Sequence, residues 1–173
     1  LEKDGTAKTE QLGSSVAMAD INKDGVVDLL VGSPTANVFR NGKLLKKAGM
    51  IQIISGKDNS VLRTINGSYA NQQLGAAITV VPDQNNDGVQ DIAVGDPLAD
   101  VTKITDKDFS VLKDAGRVML YSGSDGRMLR ILVEGNAAGD HFGSAVAAGD
   151  VNSDGKVDFI VGASMSDASA KDA

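Results

Sequence analysis

The sequence contains no cysteine and no tryptophan, and only four Phe, two Tyr and three Pro among 173 residues. Without cysteine there is no disulfide framework, no thiolate metal site and no thiol nucleophile. So few aromatic rings leave little material for a stacking platform of the kind sugar sites use. No stretch approaches the ~18 apolar residues of a membrane span, and the opening "LEKDGTAKTE" has no signal-peptide core. The expectation is a chain that does not insert into a membrane, and that is either not exported or has lost its signal. Positive charge is also short: 17 Lys plus Arg face 23 Asp plus Glu, for a net charge of −6. Nucleic acid and anionic membrane are therefore not expected partners.

What is abundant is glycine, at 20 residues, and apolar content, at 42%. The length and apolar share suffice for a sizeable core in one domain. The acids are not scattered, since nine of the 23 fall in three short stretches. These are "DINKDGVVD" from Asp20, "DQNNDGVQD" from Asp83 and "DVNSDGKVD" from Asp150, each followed by an apolar run. Successive copies lie 63 and 67 residues apart, and other landmarks keep step with them. Leu12-Gly13, Leu74-Gly75 and Phe142-Gly143 precede the loops, and "VGSP", "VGDP" and "VGAS" follow. "AGMIQIISG" and "AGRVMLYSG" come next in the first two copies, and the third ends before its equivalent. The repeats are set at about 12–73, 74–141 and 142–173, the last incomplete.

In the second copy the strand-like runs are "AAITVV", "QDIAVG", "GRVMLYS" and "MLRILV", with a hairpin turn at Ser124-Asp125-Gly126. Several are apolar on both faces, so each sheet needs cover on both sides. Four strands per repeat, stacked between like repeats, give an all-β fold of β-propeller blades built from four-stranded antiparallel sheets. Ala17, Ala19, Ala76, Ala77, Ala145, Ala147 and Ala148 in the first strands suit crowding near an axis. A β-sandwich or a stacked solenoid is the alternative. "GKLLKKAG" and "DFSVLKDAG" are expected at most as short helical turns within long connections. About three repeats make a partial propeller, so further blades are expected from the same or another chain.

The loops carry the chemistry. In D-x-N-x-D-G-x-x-D, positions one, three and five offer side-chain oxygens, the glycine permits a sharp reversal, position seven offers a carbonyl and position nine a third carboxylate. Six to eight hard oxygens suit Ca²⁺ better than octahedral Mg²⁺, and zinc would want nitrogen or sulfur. The expected ligands are Asp20, Asn22, Asp24, Val26 (carbonyl) and Asp28; Asp83, Asn85, Asp87, Val89 and Asp91; and Asp150, Asn152, Asp154, Lys156 and Asp158. About three Ca²⁺ ions follow. Position twelve is Val31, Val94 or Val161 in place of the EF-hand Glu, which excludes a helical calcium hand. Asp, Asn and Gly also populate ordinary hairpin turns, but not thrice with the same residue types at one, three, five and nine.

These motifs together resemble the FG-GAP repeat of integrin α-chain propellers and their bacterial relatives. The resemblance implies a seven-bladed propeller with calcium in hairpin loops on one face, and ligand or partner contacts on the opposite face and rim. It implies an extracellular or cell-surface module for adhesion and recognition of a protein or glycan ligand. "LG" stands for "FG" in two copies, the last "GAP" reads Gly162-Ala163-Ser164, and cysteine is absent, which favours a microbial relative.

No G-x-S-x-G, H-E-x-x-H, phosphate loop or dinucleotide fingerprint is present. His141, the one histidine, is expected in a surface or packing role. Catalysis is therefore not expected within these residues. The alternatives are a non-catalytic propeller part of a secreted hydrolase or lyase, or a purely structural surface-assembly module. Met18, Met119 and Met128 are expected to pack. Lys43, Lys46 and Lys47 form a small basic cluster, read as solvated loop or as a contact surface displayed by a rigid scaffold.

Overall fold

The computed structural model describes residues 10–105 and 108–166. The expected N-terminal segment before residue 10, two residues of the charged connection at 106–107, and the end of the third repeat at 167–173 lie outside them. Among the described residues all regular structure is β, and no helix is long and apolar enough to cross a membrane. The first unit comprises β1 (Ser15–Ala19), β2 (Asp28–Ser33), β3 (Val38–Arg40), β4 (Lys43–Leu45), β5 (Met50–Ile54) and β6 (Val61–Asn66). The second comprises β7 (Ala77–Val81), β8 (Asp91–Asp96), β9 (Val101–Thr105), β10 (Asp108–Leu112), β11 (Arg117–Tyr121) and β12 (Met128–Glu134). The third has β13 (Phe142–Gly149) and β14 (Asp158–Ala163).

The blades are antiparallel meanders in the order β1-β2-β5-β6 and β7-β8-β11-β12, followed by the pair β13-β14. The innermost strands are the alanine-rich ones, with β7 packed against both β1 and β13. This is the partial propeller that the repeat pattern predicts. The short helical turns expected at "GKLLKKAG" and "DFSVLKDAG" are instead strands, in the hairpins β3–β4 and β9–β10. Asn41 and Gly42, both at positive φ (50° and 75°), supply the two-residue turn that strand twist favours. Alternation then buries Val38 and Leu45 while Phe39 and Leu44 point to solvent, so a period of two wins over helix propensity.

Burial parity follows the repeat. Leu30, Ile51, Ile53 and Ile65 of blade one meet Ile78, Ile92, Val94, Met119 and Tyr121 of blade two in one core. Val81, Ala93, Val118 and Leu120, on the other face of blade two, meet Phe142, Phe159 and Val161 of blade three. Every residue of β8 is buried as a result. The outer faces lack that cover: Val16 and Met18 are 65% and 68% exposed on blade one, and Ile160 is 64% exposed on blade three. Of the methionines expected to pack, Met119 does, whereas Met18 and Met128 lie on the surface.

Two motif glycines set the spacing between blades. A Cβ at Gly32 would strike the Gly75 carbonyl, and one at Gly95 would strike the carbonyl of Gly143. Gly75 and Gly143 sit at φ of +87° and +91°, where L side chains are strained. Alongside, Leu74 and Phe142 form parallel bridges to Gly49 and Gly116 of the preceding blade. The Leu/Phe-Gly and Ala-Gly landmarks are thus the two halves of one inter-blade contact. Arg63 adds a clasp, donating to the Gly123 and Ser124 carbonyls of blade two.

Gly95→Ala is expected to cost about 1–3 kcal/mol or more through overpacking, lowering Tm by about 2–4 °C for each kcal/mol. Gly162→Ala, at the equivalent but open position, should cost clearly less. Circular-dichroism melts check this, and equal Tm losses would contradict the contact.

Candidate metal centre

Each acidic loop joins the two innermost strands of its blade, so all three lie at the same end of the blades. Their backbones match: position four is left-handed at Lys23, Asn86 and Ser153 (φ 59°, 62° and 62°), and position six at Gly25, Gly88 and Gly155 (φ 84°, 81° and 82°). The two reversals turn the amides of positions five to seven inward. In the first loop Asp20 accepts from the amides of Asp24 (3.1 Å) and Gly25 (2.9 Å), and Asp24 Oδ1 accepts from Val26 (2.9 Å). Asn22 Oδ1 accepts from Asp24 at 3.0 Å. The third loop repeats the set with Asp150, Asn152, Asp154 and the Lys156 amide.

The second loop is the most elaborate. Asp83 accepts from Gly88 at 2.6 Å and Asn86 at 2.7 Å, and Asp87 Oδ1 accepts from Val89 at 2.9 Å. Asp87 Oδ2 additionally accepts from Asn85 Nδ2 and from the hydroxyls of Ser122 and Ser124. Sequence reasoning missed both serines, which reach the loop from the β11–β12 turn. Desolvation pushes the Asp83 carboxyl up, but its backbone amide donors outweigh this and hold it below the usual range. The Ser124 hydroxyl, with Val89 and Asn85, brings Asp87 down to about 2. Both folded values lie below the ordinary ~3.9, so what these bonds add to stability is present above that pH and lost as pH falls toward 2. Asp91 moves the other way: burial raises it against the Gln84 and Gly123 amides, and the charges of Asp87 and Asp83 raise it further.

The ninth-position aspartates are distinct from the rest. Asp28 and Asp91 are fully buried. Asp28 Oδ2 accepts from Ile21 (3.0 Å) and Oδ1 from Gly56 (3.1 Å), and Asp91 spans Gln84 (2.7 Å) and Gly123 (3.2 Å) in the same way. Each ties its loop to the third strand's turn. Asp158 binds the Val151 amide at 3.0 Å.

Among the described residues no three His, Cys, Asp or Glu side chains form a ready-made metal cluster. The donors brought together are mixed, with an Asn in each loop and only hard oxygens, and in the second loop Asp83 and Asp87 disfavour the charge on Asp91. That chemistry fits a hard divalent cation and no softer metal.

A model described as "FG-GAP repeat" matches residues 12–52 and 142–173. Human integrin alpha-11 is 33% identical over 165 residues, covering 87% of this chain and 12% of that protein. The chain belongs to the FG-GAP repeat family. Integrin alpha pat-2 of Caenorhabditis elegans is 34% identical over 161 residues, 89% of this chain and 13% of the relative. Bovine phosphatidylinositol-glycan-specific phospholipase D is 29% identical over 167 residues, 88% and 18% of the two chains. The chain therefore spans between about an eighth and a fifth of the length of these curated relatives. The second acidic loop falls between the matched FG-GAP segments yet has the backbone of the other two.

A second polar cluster lies between blades one and two, at the opposite end from the loops. Asp96 is fully buried and accepts from Arg117 Nε (3.2 Å), Arg117 Nη2 (3.1 Å) and the Tyr69 hydroxyl. Arg117 also lies 5.8 Å from the centre of the Tyr69 ring. Burial pushes Asp96 up while Tyr69 and Arg117 pull it down. The equivalent positions in blade one are Ser33 and Met50, so aligning the repeats exposes this departure. His141 takes the place of Gln11 and Gln73: all three are left-handed (φ 53°, 52° and 55°) and precede the Leu/Phe-Gly pair. Its position is set by backbone geometry.

Two outcomes are expected. Asp28→Ala strands the Ile21 and Gly56 amides and should cost about 1–3 kcal/mol for each one left buried, seen as a lower urea midpoint; an unchanged midpoint would refute the clamp. Arg117→Met leaves a buried carboxylate unpaired and should cost about 3–5 kcal/mol at pH 7. Loss of Arg117 raises the folded-state pKa of Asp96 further, so the native state gains its proton first as pH falls. The deficit should shrink between pH 7 and 5; a constant deficit would mean Asp96 is not the charged partner.

Proposed function

We propose that this chain is part of a calcium-stabilised FG-GAP propeller that displays a recognition surface in the extracellular space or at the cell surface. The observation that carries the reading is the threefold recurrence of one loop: the same oxygen-bearing residues on the same doubly left-handed backbone. The ligands are Asp20, Asn22, Asp24, the Val26 carbonyl and Asp28, with their equivalents in the loops from Asp83 and Asp150, for about three ions. Bound calcium supplies the positive charge that three neighbouring carboxylates lack. The extracellular position and the protein partner rest on the likeness to integrin α chains.

Further blades are the natural partners of the two open faces. Gly162 occupies the place at which Gly32 and Gly95 receive the next blade, and Gly13 the place from which Gly75 and Gly143 approach the previous one. Each open end therefore presents one half of the contact seen twice within the chain. A second reading, in which the blades are the non-catalytic part of an enzyme, is favoured by the likeness to a phospholipase D.

For sites with Kd near 10⁻⁴ to 10⁻³ M in millimolar calcium, linkage contributes about 0.4–1.4 kcal/mol for each loop. Chelation should lower Tm, calcium should restore it and Mg²⁺ should restore it poorly, by differential scanning calorimetry. Identical melting with and without chelator would overturn the reading.

A further inference from the structure

The β3–β4 hairpin carries charge that the metal loops and the inter-blade contacts leave unexplained. Between Asp28 and Asp58 the sequence has no acidic residue and five cations: Arg40, Lys43, Lys46, Lys47 and Lys57. This is the reverse of a chain whose net charge is −6. Arg40 and Lys43 are directly paired across the Asn41-Gly42 turn. Like charges placed opposite one another destabilise a hairpin. Among the described residues no ion pair relieves them, whereas Lys113 beside the second hairpin is paired with Asp100. No residue of the acidic loops lines either of the concavities beside these cations.

Two concavities flank this cation pair. One, of about 530 Å³, runs along the rim between blades one and two, with Phe39, Ile65, Tyr121 and Met128 among its walls and Arg40 as its only charged residue. The other, of about 430 Å³, is lined by Arg40, Asn41, Lys43, Leu45 and Ser68. No carboxylate lines either. Phe39 is 72% exposed and Met128 52%, so the apolar side of the rim is open to an incoming group.

We infer that this rim is a docking site for an acidic peptide segment, with a carboxylate on the Arg40–Lys43 pair and a neighbouring apolar side chain in the groove beside Phe39 and Met128. Directly opposed residues have Cβ atoms about 5 Å apart, so the guanidinium and the ammonium rise from neighbouring stems and can converge on a carboxylate or two adjacent ones. The groove distinguishes the partner. A flat anionic bilayer needs no concavity, and a sulfated glycan has no apolar group to place against isoleucine and methionine. The inference rests on the reading of the chain as a recognition scaffold and is independent of its metal.

The test uses the whole 173-residue chain, ¹⁵N-labelled and in calcium. The probes are an acetylated Asp-Glu-Leu-Phe-Asp-Glu peptide, its Asn/Gln counterpart, a sulfated heparin disaccharide and phosphatidylserine vesicles. The acidic peptide is expected to shift the amides of Phe39, Arg40, Lys43, Ser68 and Met128, and to bind at least about tenfold more tightly than its neutral counterpart. Arg40→Gln with Lys43→Gln should weaken it by about tenfold or more, while Lys103→Gln on the second hairpin should not. Arg40 and Lys43 are exposed and Lys103 is half-buried. Peptide binding that leaves those amides unmoved, or that survives the double substitution, overturns the site but not the recognition reading. Shifts with the disaccharide or vesicles and none with the peptide also overturn it. Absence of binding by any probe anywhere overturns the site and counts against the recognition reading as well. Chelator-insensitive melting, measured separately, bears only on the metal.

Discussion

The closeness with which one sheet approaches the next governs the whole structure. At each interface a glycine with no side chain receives the carbonyl of a second glycine held at positive φ, Gly32 against Gly75 and Gly95 against Gly143. No other residue pair satisfies both demands, since one member must vanish sterically and the other must adopt a left-handed backbone. The hydrophobic cores then fill on either side of that contact, and their composition is permissive. Ile92 in one interface is answered by the larger Phe159 in the next, while Val94 and Val161 match. Shape tolerance in the core and strictness at the glycines is why short Gly motifs recur while the strands between them vary.

The same logic explains what the sequence made legible. Four strands per repeat, cover on both faces and a small-residue inner strand could all be read, because they follow from period-two patterning repeated in register. The hairpins β3–β4 and β9–β10 were harder. "GKLLKKAG" holds good helix formers, and only the two-residue turn at Asn41-Gly42 and the partner strand Val38–Arg40 decide against a helix. Met18 and Met128 were assigned to packing on residue type, whereas the structure leaves both on surfaces, Met18 on the open face of blade one. The Asp96–Arg117–Tyr69 cluster is spread over 48 residues of chain, and nothing local marks it. The repeats, once aligned, would have flagged it as a charged departure from Ser33 and Met50.

For the acidic loops, residue type was legible and division of labour was not. Nine acids in a common pattern read as one class of ligand. The fold separates them, with the first- and fifth-position aspartates wrapping the loop's own amides and the ninth buried as a fastener at Asp28 and Asp91. Asp28 and Asp91 each join the loop to the turn after the third strand, through Gly56 and Gly123. A carboxylate in that place supplies two acceptors to backbone donors that would otherwise be buried unpaired. Its burial is bearable because each oxygen is met by an amide.

Were a cation bound in the loop, as proposed, this fastening would give it leverage on the blade. Neutralising Asp83 and Asp87 would remove two of the charges that raise Asp91, and so would favour the ionised form that grips both Gln84 and Gly123. The ion then would act beyond its own loop, by strengthening the link between the first hairpin and the third strand of the sheet. At the other end of the blades Asp96 is paired with Arg117 through Oδ2, its buried Oδ1 having no hydrogen-bond partner among the described residues, and there Arg40 and Lys43 form no ion pair. The polar contacts that hold the blades thus lie at both ends, in the acidic loops and in the Asp96–Arg117 pair. In the docking inferred above, the like-charge cost of the Arg40–Lys43 pair would be offset when an acidic partner brings the missing charge.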